Sequence, residues 1–369
     1  MNVGIFTFAR VCNYGAVLQA YALKTTLERL GHSAQVVDHT PLRLRIGDAA
    51  FPVPVVSRHP RVSFRELRFW STCLPGRLRN FGFRKRRARS FSDFRRRHLG
   101  LSRMMHKVFT ERFPYDAVVI GSDQVWNIGL TSGVDPYYWG TAFPAGMRRI
   151  GYAVSAGGSL RHVVSNPVCR DAVRVFRAIG IREPELKEGL ASCLPDDSPV
   201  VLDPVLLLSA EDWRAVARRP DWIGDEAFAF LYRVADSEPA KRMAEAWSRN
   251  RGLRLVELCI GENYPRKENE VYGIPPEEAV WLFEHAQTVV SASFHGTAFS
   301  LLFGKPFLAF GTGAEGDGRL KSILDATGAA ERFRVGECGG FPDGPVAENG
   351  WLTENRTESL LFLERNLTP

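Results

Sequence analysis

The sequence predicts an α/β protein with two Rossmann-like domains, each built on a parallel sheet. The first observation is alternation, because short apolar strands are followed by amphipathic helices along most of the chain. The second is length, since 369 residues suit two domains better than one. The third is that several strands end in polar or glycine-containing turns, where open parallel sheets place their ligands.

The composition is that of a soluble globular protein, with 45% hydrophobic and 24% charged residues. No apolar run is long enough to span a bilayer, and the first residues lack a signal-peptide pattern. Six cysteines lack metal-binding or redox spacing. The predictions are therefore free thiols, a cytoplasmic location, no metal and no cofactor. A net charge of +7 favours an anionic ligand or surface.

The chain opens with a βαβ unit. A strand at 3–8 leads into a loop holding Asn13, Tyr14 and Gly15, then a helix at 16–30 and a strand at 34–37. The unit has no GxGxxG, so the dinucleotide fingerprint is absent. Asn13 is placed where a ligand would meet the first helix, whereas for Gly15 a role in shaping the turn is favoured.

A second strand-and-turn site is predicted in residues 116–127. A buried strand at 117–120 is followed by Gly121 and then by three polar side chains, those of Ser122, Asp123 and Gln124. Trp126 offers a flat apolar surface of the kind on which sugar rings pack. The alternative is an aspartate that caps the next turn. Three different polar groups after one strand favour a site.

Further strands are predicted at 151–158 and 178–183. The second ends in Arg182 and Glu183. An arginine there can bind a carboxylate or phosphate through two parallel hydrogen bonds, and the alternative is that Arg182 and Glu183 are only a feature of the surface. A polar passage at 192–198 is taken as the linker between an N-terminal domain (1–195) and a C-terminal domain (196–369). The second domain is expected to begin with a strand at 200–202.

Residues 288–310 predict strand, tight turn, helix and strand. The turn holds Ser293, His295 and Gly296, and the helix starts at Thr297. A helix N-terminus favours an anion, and His295 can hydrogen-bond a phosphate or move a proton. An N-cap beside a half-buried histidine explains the pattern equally well. Another helix is predicted from Arg319 to residue 326, and a final one at 357–366 is expected to pack back toward the N-terminal domain.

Residues 58–103 are rich in arginine and phenylalanine. The favoured interpretation is solvated helices with one aromatic face. A peripheral membrane contact through residues 84–97 comes second, since basic-aromatic helices lie well on anionic lipid. Nucleic acid is not expected, because no nucleic-acid motif accompanies the charge.

Taken together, these motifs resemble the polysaccharide pyruvyl transferase family in the family's order and over nearly the whole chain. The matching segments are residues 13–23, 116–127, 151–158, 182–183, 201–208, 284–307 and 318–324. The resemblance implies two Rossmann-like domains facing a central cleft, the GT-B arrangement. It also implies a cell-envelope enzyme that transfers the pyruvyl group of phosphoenolpyruvate to hydroxyls of a sugar or lipid-linked oligosaccharide, forming a ketal and releasing phosphate.

The resemblance assigns roles to individual residues. His295 is the expected acid or phosphate ligand, and Asp123 is the expected base for the acceptor hydroxyl. The donor is expected at Arg182, Ser293, Gly296, Thr297 and Arg319. The acceptor is expected at Asn13, Tyr14, Ser122, Gln124 and Trp126.

The sequence departs from the family's pattern at one triplet. Some members carry Arg-Leu-His before the glycine, and the corresponding triplet here is Ser293-Phe294-His295. Arg319 or Lys305 would then supply the missing charge. Two alternatives stay open: a glycosyltransferase using a nucleotide sugar in the same cleft, and a non-catalytic sugar- or anion-binding protein of the same fold.

Overall fold

The computed structural model of the protein describes residues 1–41, 44, 76, 78–102, 113–234, 237–261, 264–311, 313, 317–336, 340–342, 344–347 and 349–368. Among these residues, no helix is both long and apolar enough to cross a bilayer. The cysteines in the same ranges are buried and form no disulfide with one another: Cys12, Cys169, Cys193 and Cys259.

Two parallel sheets organise the chain. The first has the order β2-β1-β3-β4-β5 and the second β11-β10-β9-β6-β7-β8. The first contains β1 (Asn2–Phe6), β2 (Ser33–Val36), β3 (Ala117–Asp123), β4 (Arg148–Val154) and β5 (Ala178–Ile181). The second contains β6 (Phe228–Arg233), β7 (Arg254–Cys259), β8 (Glu270–Tyr272), β9 (Thr288–Ala292), β10 (Phe307–Phe310) and β11 (Phe333–Arg334). The pairings in both sheets are parallel, so the predicted fold class is confirmed.

Helices connect the strands. They are α1 (Tyr14–Arg29), α2 (Phe81–Phe94), α3 (Ile128–Thr131), α4 (Leu160–Ser165), α5 (Pro167–Val173), α6 (Pro184–Leu190), α7 (Ala210–Val216), α8 (Glu238–Asn250), α9 (Pro276–His285), α10 (Phe294–Leu302), α11 (Gly318–Ala326) and α12 (Trp351–Leu367). A π-helical turn (Arg95–Leu99) continues α2, and 3-10 turns lie at Gly157–Ser159, Pro204–Leu206 and Ala330–Arg332.

Each sheet has one point at which its strand order reverses direction. In the first sheet this point lies between β1 and β3, and in the second between β9 and β6. All four strands are largely buried, as expected for parallel strands covered by helices on both faces. Open α/β sheets bind ligands at the carboxyl ends of the strands beside such a point. The topology therefore predicts a ligand site at the carboxyl ends of β1, β3, β6 and β9.

Helix α2 joins the two halves of the molecule. Phe91 is fully buried and lies 4.9 Å from Tyr14 between ring centroids. On the side of the second sheet, the Ser90 hydroxyl donates to the Gly273 carbonyl at 2.7 Å, and Arg87 donates to the Gly261 carbonyl at 3.3 Å. The aromatic face predicted for this segment is thus packed inward over residues 81–94. Residues 58–75 of the basic segment lie outside the described residues.

Helix α12 returns to the first sheet. The Phe362 ring lies 6.3 Å from Tyr152 of β4, and Arg365 pairs with Asp197 at 2.5 Å. The Ser359 hydroxyl accepts from the Leu202 amide at 3.0 Å. The last helix therefore packs on the sheet formed by the first part of the chain.

Most predicted elements are present with shifted ends. The predicted strand at 200–202 is wrong, because Val200 makes only an isolated parallel bridge with Ile181 of β5. Asp203 and Pro204 then turn the chain into a 3-10 turn, which stops further pairing. The prediction missed β8 and β11, which are only three and two residues long and lie at the edges of the second sheet.

Candidate functional site

A cleft of about 580 Å³ lies between the carboxyl ends of the two sheets. The first sheet contributes Asn13 after β1 and Asp123 at the end of β3. The second sheet contributes Ser293 to His295 after β9, together with Arg319 from α11. The cleft therefore coincides with the points at which strand order reverses in both sheets.

The turn between β9 and α10 aims a helix N-terminus at this cleft. Ser293 is extended and precedes α10, and its amide donates to the Ser291 hydroxyl at 3.1 Å. A β-carbon added to Gly296 would lie 2.1 Å from the Ser291 Oγ, so only glycine lets α10 approach β9 this closely. The Thr297 hydroxyl donates to the Ser293 carbonyl at 3.2 Å. The first N–H groups of a helix have no intrahelical acceptor and favour an anion.

His295 is 9% exposed and lies against the first helix. A β-carbon on Gly15 would lie 2.1 Å from the His295 Nδ1, so the glycine permits α1 to approach the imidazole. The His295 Nε2 lies 3.6 Å from the Asp203 Oδ2, which is too long for a hydrogen bond. This nitrogen has no hydrogen-bond partner among the described residues. The His295 Nε2 is therefore available to a ligand, and the negative charge of Asp203 lies beside it.

Asp203 is the buried centre of the site, and it is not among the residues that the sequence predicts for it. Its Oδ2 accepts from the Arg182 Nη1 at 2.5 Å and from the Ser122 hydroxyl at 3.3 Å, while its Oδ1 accepts from the Val205 amide at 3.1 Å. Burial would raise the pKa of Asp203, but His295 and Arg182 outweigh it and hold the pKa well below its ordinary value. The available signal was an Asp-Pro pair directly after the apolar run 200–202.

Two guanidinium groups share the ring of Phe294. The Cζ atoms of Arg182 and Arg319 lie 5.2 and 5.9 Å from the ring centroid, within cation–π range. The Arg182 side chain is 2% exposed, and its Nε and Nη2 lack hydrogen-bond partners among the described residues. The Arg319 Nε also lacks one. Phe294, which belongs to the triplet that departs from the family's pattern, thus contacts two cations that have donors without hydrogen-bond partners among the described residues.

Nearby carboxylates compensate the charge of Arg182 more fully than the charge of Arg319. Burial would lower the pKa of Arg182, but Asp203, Asp123 and Glu183 raise it above its ordinary value. For Arg319, burial and the nearby charge of Arg182 lower the pKa. Arg319 has only the Glu183 Oε1 at 3.7 Å from its Nε as an ion-pair partner among the described residues. An anion bound between the two guanidinium groups would offset the cost of burying their charges and would reduce the repulsion between them.

Several predicted site residues are held by the protein itself. The Asn13 Oδ1 accepts from the Ala16 amide at 3.2 Å and caps α1, although Asn13 also lines the cleft. The buried Tyr14 donates to the Ile274 carbonyl at 3.0 Å. The Gln124 Oε1 accepts from the Asn127 Nδ2 at 2.8 Å, and Gln124 lines the cleft. Ser122 is fully buried beneath it.

Trp126 does not reach the cleft surface. Its side chain is fully buried, stacks on Trp139 with centroids 4.6 Å apart, and donates to the Tyr138 carbonyl at 2.9 Å. The predicted sugar platform is therefore not available at this residue, because the indole is needed to complete the core beside β3. Lys305 also lies elsewhere, in a groove with Ser209 and Arg356, so of the two suggested cations only Arg319 lines the cleft.

Two parallel-sheet domains with a cleft at their strand ends define a protein of the GT-B class. The model of the family described as polysaccharide pyruvyl transferase matches residues 13–313. The chain belongs to the polysaccharide pyruvyl transferase family.

Solved structures resemble the chain only distantly. UDP-GlcNAc 2-epimerase from Neisseria meningitidis bound to UDP-GlcNAc is 12% identical, with a TM-score of 0.47 over 99% of this chain and 92% of that one. UDP-GlcNAc 2-epimerase from Methanocaldococcus jannaschii is 10% identical, with a TM-score of 0.46 over 98% and 92%. E. coli heptosyltransferase WaaC with ADP is 12% identical, with a TM-score of 0.39 over 99% and 100%. No curated protein matches the sequence.

Proposed function

We propose that the protein transfers the pyruvyl group of phosphoenolpyruvate to two hydroxyls of a sugar or glycan, forming a cyclic ketal and releasing phosphate. The observation that carries this proposal is a set of donors without hydrogen-bond partners among the described residues: His295 and Arg319 line the cleft, and the buried Arg182 lies beside the cleft residues Asp123 and Phe294. Phosphoenolpyruvate has a phosphate and a carboxylate, and guanidinium groups bind both in bidentate geometry. Ser293, Gly296 and Thr297 add the N-terminus of α10.

His295 is the proposed general acid. It protonates the methylene carbon of phosphoenolpyruvate, and the central carbon becomes cation-like. One sugar hydroxyl attacks that carbon, and a carboxylate accepts its proton. A second hydroxyl attacks the same carbon, the bond to the phosphate oxygen breaks, and the second proton leaves with phosphate. The Asp203 Oδ2 lies 3.6 Å from the His295 Nε2, so a negative charge faces the proposed proton donor.

The sequence predicts Asp123 as the proton-accepting carboxylate. Its Oδ1 lies 3.5 Å from the Arg182 Nη2, so it is adjacent to the proposed donor position. Of the residues that the sequence predicts for the acceptor, Asn13 and Gln124 line the same cleft. Because phosphoenolpyruvate is a metabolite of the cytoplasm, the proposed place of action is the cytoplasm, with a cell-envelope glycan as acceptor.

The experiment that tests this function is calorimetric titration with phosphoenolpyruvate, followed by a phosphate-release assay with sugar acceptors. We expect saturable binding and phosphate release that depends on the acceptor. Binding of a nucleotide sugar with release of nucleotide would replace the proposal by a glycosyltransferase. Binding of phosphoenolpyruvate without turnover of any acceptor would favour a non-catalytic anion-binding protein.

A further inference from the structure

A second chamber opens on the far side of Arg319. It has a volume of about 260 Å³ and is lined by residues of both halves of the molecule. Gly157, Arg161 and Glu183 come from the turns and helix after β4 and β5, while Gly318 and Arg319 begin α11. Arg319 lines this chamber and the main cleft alike. A molecule in the chamber would therefore lie next to a donor bound in the cleft.

Glu183 presents a free carboxylate oxygen at this place. Its Oε1 accepts from the Ser155 hydroxyl and, at 3.4 Å, from the Gly157 amide, which fixes the orientation of the group. Its Oε2 is buried and has no hydrogen-bond partner among the described residues. Glu183 as a whole is only 6% exposed. A buried acceptor without a donor is costly, so a ligand that donates a hydrogen bond is expected there.

The charge of the chamber selects the kind of ligand. When ionised, the Glu183 and Glu185 carboxylates can only accept hydrogen bonds. Glu185 lies so close to Gly318 that a β-carbon on Gly318 would be 2.8 Å from the Glu185 Oε1. The lining pairs these two carboxylates with two guanidinium groups, those of Arg161 and Arg319, so the chamber has no excess positive charge to hold a multiply charged anion. A neutral polyol satisfies the carboxylates with its hydroxyls and can also accept from Arg161. The volume is below the roughly 300–1,000 Å³ of whole-ligand pockets, so it suits one sugar ring.

We propose that this chamber binds the acceptor sugar and that Glu183 accepts the proton of the first attacking hydroxyl. The inference rests on the proposed function for its chemical step. The O–H bond breaks, the proton moves to the Glu183 Oε2, and the oxygen bonds to the central carbon of phosphoenolpyruvate after His295 has protonated the methylene carbon. Glu183 takes this role in place of Asp123, whose carboxylate lies beside Arg182 in the donor cleft.

Binding of sugar alone tests the chamber independently of the donor. The probes are methyl glycosides of glucose, galactose, mannose and N-acetylmannosamine. Their binding to the full chain is measured by saturation-transfer NMR. At least one glycoside is expected to bind the unaltered protein, with affinity falling about tenfold in Arg161→Ala. Absence of binding by all four, or equal affinity in Arg161→Ala, would overturn the inference. Sugar binding without phosphoenolpyruvate binding would support the chamber and refute the proposed function.

Turnover tests the role of Glu183. Glu183→Gln keeps the acceptor oxygen toward Ser155 and Gly157 but cannot take a proton, so the rate should fall about 10²–10⁴-fold while phosphoenolpyruvate affinity stays within threefold. Glu188→Gln, at an exposed glutamate on α6, the helix that follows Glu183, is the matched control and should leave the rate unchanged. Asp123→Asn removes a negative charge beside Arg182, so it should not weaken phosphoenolpyruvate binding, and its rate should fall less than that of Glu183→Gln. A Glu183→Gln rate within threefold of the unaltered enzyme would overturn the assignment.

Discussion

Replacement of Asp203 by Asn tests whether a buried carboxylate organises the site. The substitution preserves shape and an oxygen for the Val205 amide, but it removes the negative charge that Arg182 contacts at 2.5 Å and that faces His295 at 3.6 Å. Breaking a buried ion pair by removing one partner costs about 3–5 kcal/mol of unfolding free energy. At roughly 2–4 °C per kcal/mol, the melting temperature should fall by about 6–20 °C.

The pH dependence of that loss has a defined sign. The folded-state pKa of Asp203 is depressed, so its contribution to stability is present above the unfolded-state pKa near 3.9 and is lost as pH falls through the folded-state pKa. The difference in unfolding free energy between the two proteins should therefore be full at pH 7 and shrink below about pH 4. Urea unfolding at pH 7, 5 and 3.5 measures it.

Catalysis gives a second measurement of the same substitution. Without the carboxylate, Arg182 loses its partner at 2.5 Å and His295 loses its neighbour at 3.6 Å, so both groups can leave their positions and the transfer rate, measured as phosphate release, should fall about 10²-fold. Asp171→Asn, at an exposed aspartate on α5, is the control and should change neither stability nor rate. An Asp203→Asn protein with the unaltered melting temperature and transfer rate would refute the argument that Asp203 organises the site.

Three further predictions concern neighbouring features. His295→Ala should fold and lose about 10²–10⁴-fold in transfer rate, measured as phosphate release, whereas the exposed His162→Ala should not; near-normal turnover would remove His295 from the mechanism. Phe294→Leu should weaken calorimetric phosphoenolpyruvate binding by about 5–30-fold, since two cation–π contacts of about 0.5–1 kcal/mol each are lost; an unchanged dissociation constant would mean that the ring does not order the arginines. Replacement of the exposed cations of α2 and its π-helical turn by glutamine should weaken co-sedimentation with anionic vesicles at low salt and leave stability unchanged. If the unaltered protein stays in the supernatant, the membrane role is excluded. Those cations are Lys85, Arg86, Arg89 and Arg96.

The sequence predicted the strand-end turns well because their signals are local. An apolar run followed by glycine and polar residues placed Asp123, Arg182 and His295 near strand ends, and these three residues do converge. Asp203 could not be found in the same way, because its importance comes from contacts with Arg182, 21 residues away, and with Ser122, 81 residues away. Long-range pairing of this kind leaves no periodic pattern in the chain.

Burial explains why other residues were misjudged. Trp126 was predicted to offer a flat apolar surface to a sugar ring, yet its ring fills the core beside Trp139. Arg87 looked like one more solvated cation, yet it is 5% exposed and lies 5.6 Å from the Tyr272 ring. Both side chains are amphipathic, so sequence alone does not say whether their apolar or polar part decides their position.

The reacting groups come from both halves of the molecule, and this division has a mechanical consequence. Arg182 and Asp203 stand at the first sheet, whereas His295 and Arg319 stand at the second. A donor held by both arginines would therefore bridge the two sheets, and its position would depend on the contacts that join them. The approach of Gly15 to His295 and the packing of α2 on Gly273 are two such contacts. Since a misplacement of about 1 Å can cost roughly 10²-fold in rate, these contacts belong to the catalytic geometry although they touch no substrate.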